Sequence, residues 1–214
     1  MNRESTLAVA AHLLEYPHPR LAEQARAAAD WLDVGAPEAA ALARRFADEV
    51  AAMSPGALEE AYTAAFDFAS TGTIYAGEHL FGASEARATF LARLRVMQRD
   101  HGVAATPELP DHVGELLRLA AAMPDGDERD ELLRDAVLPT ARAALTQLQR
   151  SAQPFASALA AIVAAVETLC GAAAEPQTLA LRFDPGPRTP PGSQARDDDA
   201  ETPDLFVPSP EATP

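Results

Sequence analysis

Glu108-Leu109-Pro110-Asp111-His112-Val113-Gly114-Glu115-Leu116-Leu117-Arg118-Leu119-Ala120 is the stretch on which the fold turns. Val113, Leu116, Leu117 and Ala120 recur at three- and four-residue steps, the period of a helix with one face in a core. Ahead of them, Pro110 suits the first helical position, where its missing N–H goes unused. Asp111 then falls in the first turn, where a carboxylate meets the positive end of the helix dipole. On that reading the first five residues are a helix start. The same five also gather two acids, a proline and an imidazole at the mouth of a helix beside an apolar stripe, which would suit a binding edge.

The helical period extends in both directions. Ser5 is placed to cap a helix in which Leu7, Ala10, Ala11 and Leu14 share a face; it stops at Tyr16-Pro17, because a residue before proline avoids the α region. Helical patterns follow over about 19–31 and from Pro37, the latter with Leu42, Phe46, Val50 and Met53 down one side. Ser54-Pro55 is a cap-plus-proline start for a helix striped by Leu58, Tyr62 and Ala65. Between 69 and 82 the helical signal fails, and large apolar groups (Ile74, Tyr75, Leu80, Phe81) sit near Gly77 and Gly82. A helix resumes at Ser84, with Phe90, Leu91, Leu94 and Met97 in register, and ends at His101-Gly102 with glycine as its cap. Beyond Met123-Pro124-Asp125-Gly126 come a pattern over 127–149, interrupted at Pro139, and another over 154–170.

Composition agrees with this pattern. The chain of 214 residues is rich in alanine, leucine, glutamate and arginine, all good helix formers, and contains no lysine. The expected fold class is all-α: a single helical bundle over residues 1–174. From residue 175 to 214 prolines and acids dominate and few apolar residues could reach a core, so this segment is read as a disordered acidic tail. The short runs Leu179-Ala180-Leu181 and Leu205-Phe206-Val207 are the parts of it able to dock.

Acids outnumber bases 32 to 17, for a net charge of −15. A chain so acidic has no basic face for nucleic acid or for an anionic membrane, and it attracts a basic partner instead. No stretch has the roughly 20 strongly apolar residues of a membrane span, and residues 1–14 lack the apolar core of a secretory signal. A cytoplasmic protein is expected.

Catalytic chemistry finds little footing. There is no glycine-rich phosphate loop, and the five histidines do not fall into a two-histidine helical spacing with a glutamate. Cys170, the one cysteine, has no partner for a thiolate site and reads as a small hydrophobe. No enzyme is expected. Two binding constellations remain. The first is Tyr62, Phe66 and Asp67 with Tyr75, His79 and Phe81; Tyr62 and Phe66 lie one turn apart and share a side of their helix. Both Phe66 and Phe81 also suit a core. Asp67 sits at a helix end, against the dipole, and calls for an arginine, either Arg87 or one from a partner. The second constellation is Glu108, Leu109, Pro110, Asp111 and His112.

The ordered set Leu13-Leu14-Glu15-Tyr16-Pro17, Tyr62-x-x-x-Phe66-Asp67, Glu78-His79-x-x-Gly82 with Arg87, His101-Gly102 and Glu108-Leu-Pro-Asp-His112 resembles the NarJ family. These are assembly chaperones of respiratory nitrate reductase, often called its delta subunit, within the wider TorD/DmsD group of redox-enzyme maturation chaperones. The resemblance runs from about residue 13 to 121. It implies an all-helical chaperone without a cofactor. It would bind the N-terminal peptide of a molybdoenzyme's catalytic subunit, a twin-arginine signal or its vestige. The apo subunit would be held until the molybdenum cofactor is inserted and kept from early membrane attachment or export. The resemblance places Pro110, Asp111 and His112 in the peptide site, with Tyr62, Phe66, Asp67, Tyr75 and Phe81 beside them; Glu108, Leu109, His79 and Arg87 complete the candidate set. Asp111 is expected to meet or steer the peptide's cationic end, and His112 to supply a hydrogen bond or pH sensitivity. A monomer is expected, domain-swapped dimers being the other state of the group. Arg87-Ala88 replaces the family's usual Arg-Gly, and the loop 71–77 is less leucine-rich. The client could thus be a related selenate, chlorate, dimethyl sulfide or ethylbenzene oxidoreductase. A structural helical subunit of the final complex and an adaptor acting through its acidic tail are the competing readings.

Overall fold

The computed structural model of the chain describes residues 3–66, 73–150 and 153–171. Helix α1 (Arg3–Ala11) runs into a 3-10 turn (His12–Leu14) and is followed by α2 (Leu21–Leu32), α3 (Pro37–Ala51) and α4 (Pro55–Phe66). Next come α5 (Ala76–Phe81), α6 (Glu85–Asp100), α7 (Val113–Ala122), α8 (Asp127–Glu131), a π-helical segment (Leu132–Val137), α9 (Leu138–Leu148) and α10 (Phe155–Cys170). Among the described residues the fold is helical throughout, relieved by one isolated β-bridge between Tyr75 and His112. The all-α expectation holds. The expected tail, 175–214, lies outside the described residues, as does Asp67.

α3 is the central helix, packed on α2 and on α10, while α1 lies against α7. Alanines make the first of these contacts close: Ala25, Ala28 and Ala29 of α2 and Ala39, Ala40, Ala43 and Ala47 of α3 are all buried. Small side chains let helix axes approach to the short end of the usual range. Aromatic rings fill the remaining space. Phe155, at the start of α10, touches Phe46 of α3 and both Tyr62 and Phe66 of α4, with ring centroids 5.3–5.4 Å apart. Tyr62 then meets Tyr16 edge-on at 5.2 Å, so a chain of rings leads from the core to the surface.

Helix ends follow the local sequence at several points. Ser54 Oγ accepts the N–H of Ala57 at 3.3 Å, the cap expected ahead of Pro55. Gly102 takes φ +70°, Val103 N–H bonds to Gln98 C=O, and Gly102 N–H bonds to Arg99 C=O. These are the two bonds of a Schellman ending, whose left-handed residue favours glycine. Pro139 has no N–H to return to the carbonyl four residues back, and the ladder shifts to π-helical spacing over Leu132–Val137 instead of breaking.

Two expectations need correction. Ser5 does not cap α1, because the helix is already formed at Arg3 and Ser5 lies inside it. The stretch 69–82, read as non-helical, contains the short helix α5. Its reason is tertiary and appears with the site.

Phe155 is fully buried against Phe46 of α3 and Tyr62 and Phe66 of α4. Phe155→Ala should cost about 3–5 kcal/mol. Urea denaturation will check this; a loss below about 1 kcal/mol would mean that the ring cluster collapses around the cavity.

Candidate functional site

The segment ahead of α7 is held by the segment ahead of α5. Val113 N–H donates to Ile74 C=O at 2.9 Å, and Ala76 N–H donates to Asp111 C=O at 2.8 Å. With residues 111–112 committed to this bridge, the helix cannot start at Pro110 as the sequence suggested. It starts at Val113, with His112 as an extended N-cap (φ −61°, ψ 134°) whose Nδ1 accepts the Gly114 N–H at 3.0 Å. Asp111 is therefore not a first-turn residue of α7. Its Oδ2 accepts the N–H of Gly77 at 3.1 Å and serves the first turn of α5. That contact explains the helix that local sequence does not signal.

Asp111 is fully buried. Burial pushes its pKa up, against the opposing pull of Arg87, whose Nη2 lies 3.7 Å away, and of the Gly77 N–H. Gly77 admits this arrangement because it has no side chain: a Cβ there would stand 2.7 Å from Asp111 Oδ2. So placed, Asp111 positions backbone and presents no surface to a ligand.

Above this latch lies a cleft of about 260 Å³, lined among others by Leu14, Glu15, Tyr16, Tyr62, Thr106, Pro107, Glu108, His112, Glu115 and Arg118. Its walls are strongly polar at one end. Arg118 bridges Glu115 on its own helix and Glu15 Oε1, the latter at 2.9 Å. Glu15 also receives His12 Nδ1 at 2.7 Å and His18 Nε2 at 3.2 Å. Burial would raise the pKa of Glu15, but these donors more than offset it and hold the carboxyl below its ordinary value. Glu115 is buried and continues through Gln98 to Arg95, which donates to the backbone carbonyl of Glu108 at 3.1 Å. The Glu108 carboxylate itself accepts the Tyr75 hydroxyl at 2.8 Å and the Leu109 N–H at 3.1 Å. Burial, with Glu108 as its partner, pushes the Tyr75 phenol well above its usual range.

His112 closes the cleft from below. With Nδ1 accepting a backbone N–H, the ring proton belongs on Nε2, and Nε2 has no hydrogen-bond partner among the described residues. Burial drives the imidazole pKa down to about 4. The imidazole is therefore neutral near pH 7, with its Nε2 buried beneath the cleft.

Of the residues singled out from sequence, Tyr62, Glu108 and His112 share the cleft wall, and Tyr75 stands directly behind, its ring 5.5 Å from that of His112. Phe66 backs Tyr62 in the core at 4.9 Å. Pro110 is buried and Leu109 is exposed beside the cleft. Arg87 pairs with Glu78 and Asp111, Phe81 packs on Phe90, and His79 is exposed on α5; none of these three lines the cleft. Glu15, Tyr16, Glu115 and Arg118 were not singled out as site residues, although Glu15-Tyr16 stands in one of the quoted motifs. Among the described residues no group of three or more histidine, cysteine, aspartate or glutamate side chains is placed to hold a metal ion. None of their helices is long and apolar enough to cross a membrane.

A family model described as nitrate reductase delta subunit matches residues 29–161, more than half of the chain. That span includes the latch and most of the cleft but not Ala11, Leu14, Glu15 and Tyr16. No curated protein matches the sequence.

Two outcomes follow from this geometry. Gly77→Ala forces the methyl against Asp111 and should cost about 1–3 kcal/mol, with much of that cost absent when Asp111 is also replaced by alanine. An unfolded imidazole titrates near 6.5 and the folded one near 4, so between these values the unfolded chain binds a proton that the folded chain refuses. The stability from neutral His112 is present above about pH 6.5 and lost as pH falls toward 4. Urea midpoints at pH 7 and 4.5 should drop less in His112→Gln than in the parent, by a few kcal/mol when converted; equal drops would mean that the folded ring is protonated.

Proposed function

Since the chain belongs to the nitrate reductase delta subunit family, we propose that it is a chaperone for the catalytic subunit of a molybdoenzyme, respiratory nitrate reductase in the first instance. It binds the subunit's N-terminal peptide in the cleft between Tyr16 and Glu108, in the cytoplasm, and holds the apo subunit for insertion of the molybdenum cofactor before membrane attachment. The work is binding and release, without turnover or a cofactor of its own.

The observation that carries this reading is the charge and shape of the cleft. Three carboxylates (Glu15, Glu108, Glu115) face one guanidinium, Arg118, in a concave site on a chain of net charge −15. Such a surface accelerates the capture of a cationic segment and favours it over acidic ones. Tyr16, 56 % exposed and braced by Tyr62, offers an aromatic face to a guanidinium or an apolar side chain. Recognition of a segment that folds in a groove needs a few such anchors and no reactive group.

The test uses a fluorescent peptide with the N-terminal sequence of the nitrate reductase catalytic subunit. Binding should weaken as salt rises, and Tyr16→Ala and Glu108→Gln should each lose about tenfold in affinity, ~1.4 kcal/mol, with the fold intact. Parent-like affinity in both variants would remove the cleft from the account. The mature enzyme, purified, should lack the chain; a stoichiometric copy in it would favour the structural-subunit reading.

A further inference from the structure

The polar end of the cleft is already filled by a cation, and that cation belongs to the chain. Arg118 stands one turn beyond Glu115 on α7, so the two side chains share a face of the helix. Its Nη1 donates to Glu115 Oε1, and its Nη2 donates to Glu15 Oε1 at 2.9 Å across the cleft. Glu115 is 1 % exposed and its other oxygen accepts Gln98 Nε2, whereas the Arg118 side chain keeps 30 % of its surface open. Glu115 is thus held within the wall, and Arg118 is the member of the pair that solvent reaches. A buried carboxylate stripped of its cation is strongly destabilising. Emptying the place that Arg118 holds is therefore costly, while refilling it with another guanidinium is not.

We propose that Arg118 is an internal stand-in for the partner's arginine: it holds the Glu15–Glu115 site in the free chain and gives way to a guanidinium of the bound peptide. The inference rests on the peptide-binding reading of the cleft. Exchange of one guanidinium for another keeps every donor–acceptor pair of the site. Two N–H groups of one planar fork meet two carboxylates from opposite walls, whereas an ammonium is a point charge without that fork. The exchange therefore selects arginine over lysine. It also sets the strength of capture. A side chain tethered beside the site competes at high effective concentration, so the free chain is closed most of the time and binds more weakly than the bare site would. Release is eased for the same reason: Arg118 returns as the peptide's arginine leaves, and Glu115 is never left without its cation.

The first probe is ethylguanidinium, the head of an arginine side chain, added to Arg118→Ala in the full-length chain. The variant should melt below the parent, and millimolar ethylguanidinium should recover part of that loss while ethylammonium does not. The parent, its site filled, should respond to neither. A variant that ethylguanidinium leaves unmoved, or a parent that responds equally, overturns the proposal. The second probe is the fluorescent N-terminal peptide. Arg118→Gln should bind it about tenfold more tightly than the parent, the gain expected when about one free molecule in ten is open. Arg142→Gln makes the same change of charge at an exposed pair with Glu167 outside the cleft, and should alter affinity by less than about twofold. Lysine in place of the peptide's arginines should abolish the Arg118→Gln gain. In the parent itself, the Arg118 Nε–H resonance should move to the position of a solvated arginine as the peptide saturates. Weaker binding by Arg118→Gln, an equal gain in Arg142→Gln, a gain that survives lysine, or an unmoved resonance overturns the proposal while leaving the cleft reading intact. Parent-like binding by both Tyr16→Ala and Glu108→Gln removes the cleft, and the proposal with it.

Discussion

The bond from Gly77 N–H to the buried carboxylate of Asp111 is the constraint on which the rest depends. A carboxylate taken wholly out of water is costly unless its oxygens are satisfied. Asp111 is met by a backbone donor at the start of α5 and by Arg87. In return it fixes two chain segments, 74–77 and 111–113, at a separation that their shared backbone bonds then maintain. The start of α7, the capping role of His112 and the position of Tyr75 behind the cleft follow from that junction. Asp111 Oδ1 and Arg87 Nε lack a hydrogen-bond partner among the described residues, a desolvation cost that the latch carries beside its bonds.

A polar chain carries this order across the cleft. Glu15, Arg118, Glu115, Gln98, Arg95 and the Glu108 carbonyl are linked in sequence, tying the strap after α1 to α7, α6 and the segment ahead of α7. Each buried charge in it has a partner, which is the condition under which such networks specify one arrangement. The aromatic chain from Phe46 through Phe155 and Tyr62 to Tyr16 does the same for the other wall. The cleft walls are thus braced by contacts within the chain itself, and under the proposed function a preformed site lowers the ordering cost of binding.

Sequence periodicity was enough for the helices that pack by one apolar stripe. α3, α4, α7 and α10 fall where their stripes place them, and Ser54, Pro55 and Gly102 act where local rules put them. What was illegible depends on partners far along the chain. α5 is a six-residue helix whose decisive acceptor lies 34 residues away, and the Glu15–Arg118 pair spans 103 residues. The motif at 108–112 was legible as important, yet its roles were exchanged: Asp111 works inward on α5, and His112 provides the cap that a first-turn aspartate was expected to complement. Tyr16, an exposed ring ahead of a proline, gave no local sign that its support is Tyr62.

Under the proposed function, the acidic, aromatic-walled cleft above the Asp111 latch receives a client's N-terminal segment. The most direct measurement is the amide chemical-shift map of the full chain on titration with the N-terminal peptide of a nitrate reductase catalytic subunit. The account predicts that the largest changes fall at Tyr16, Tyr62, Glu108, His112, Gly114 and Arg118, with α8 and α9 unmoved. Changes confined to residues beyond 171, or absent from the cleft at saturating peptide, would contradict it.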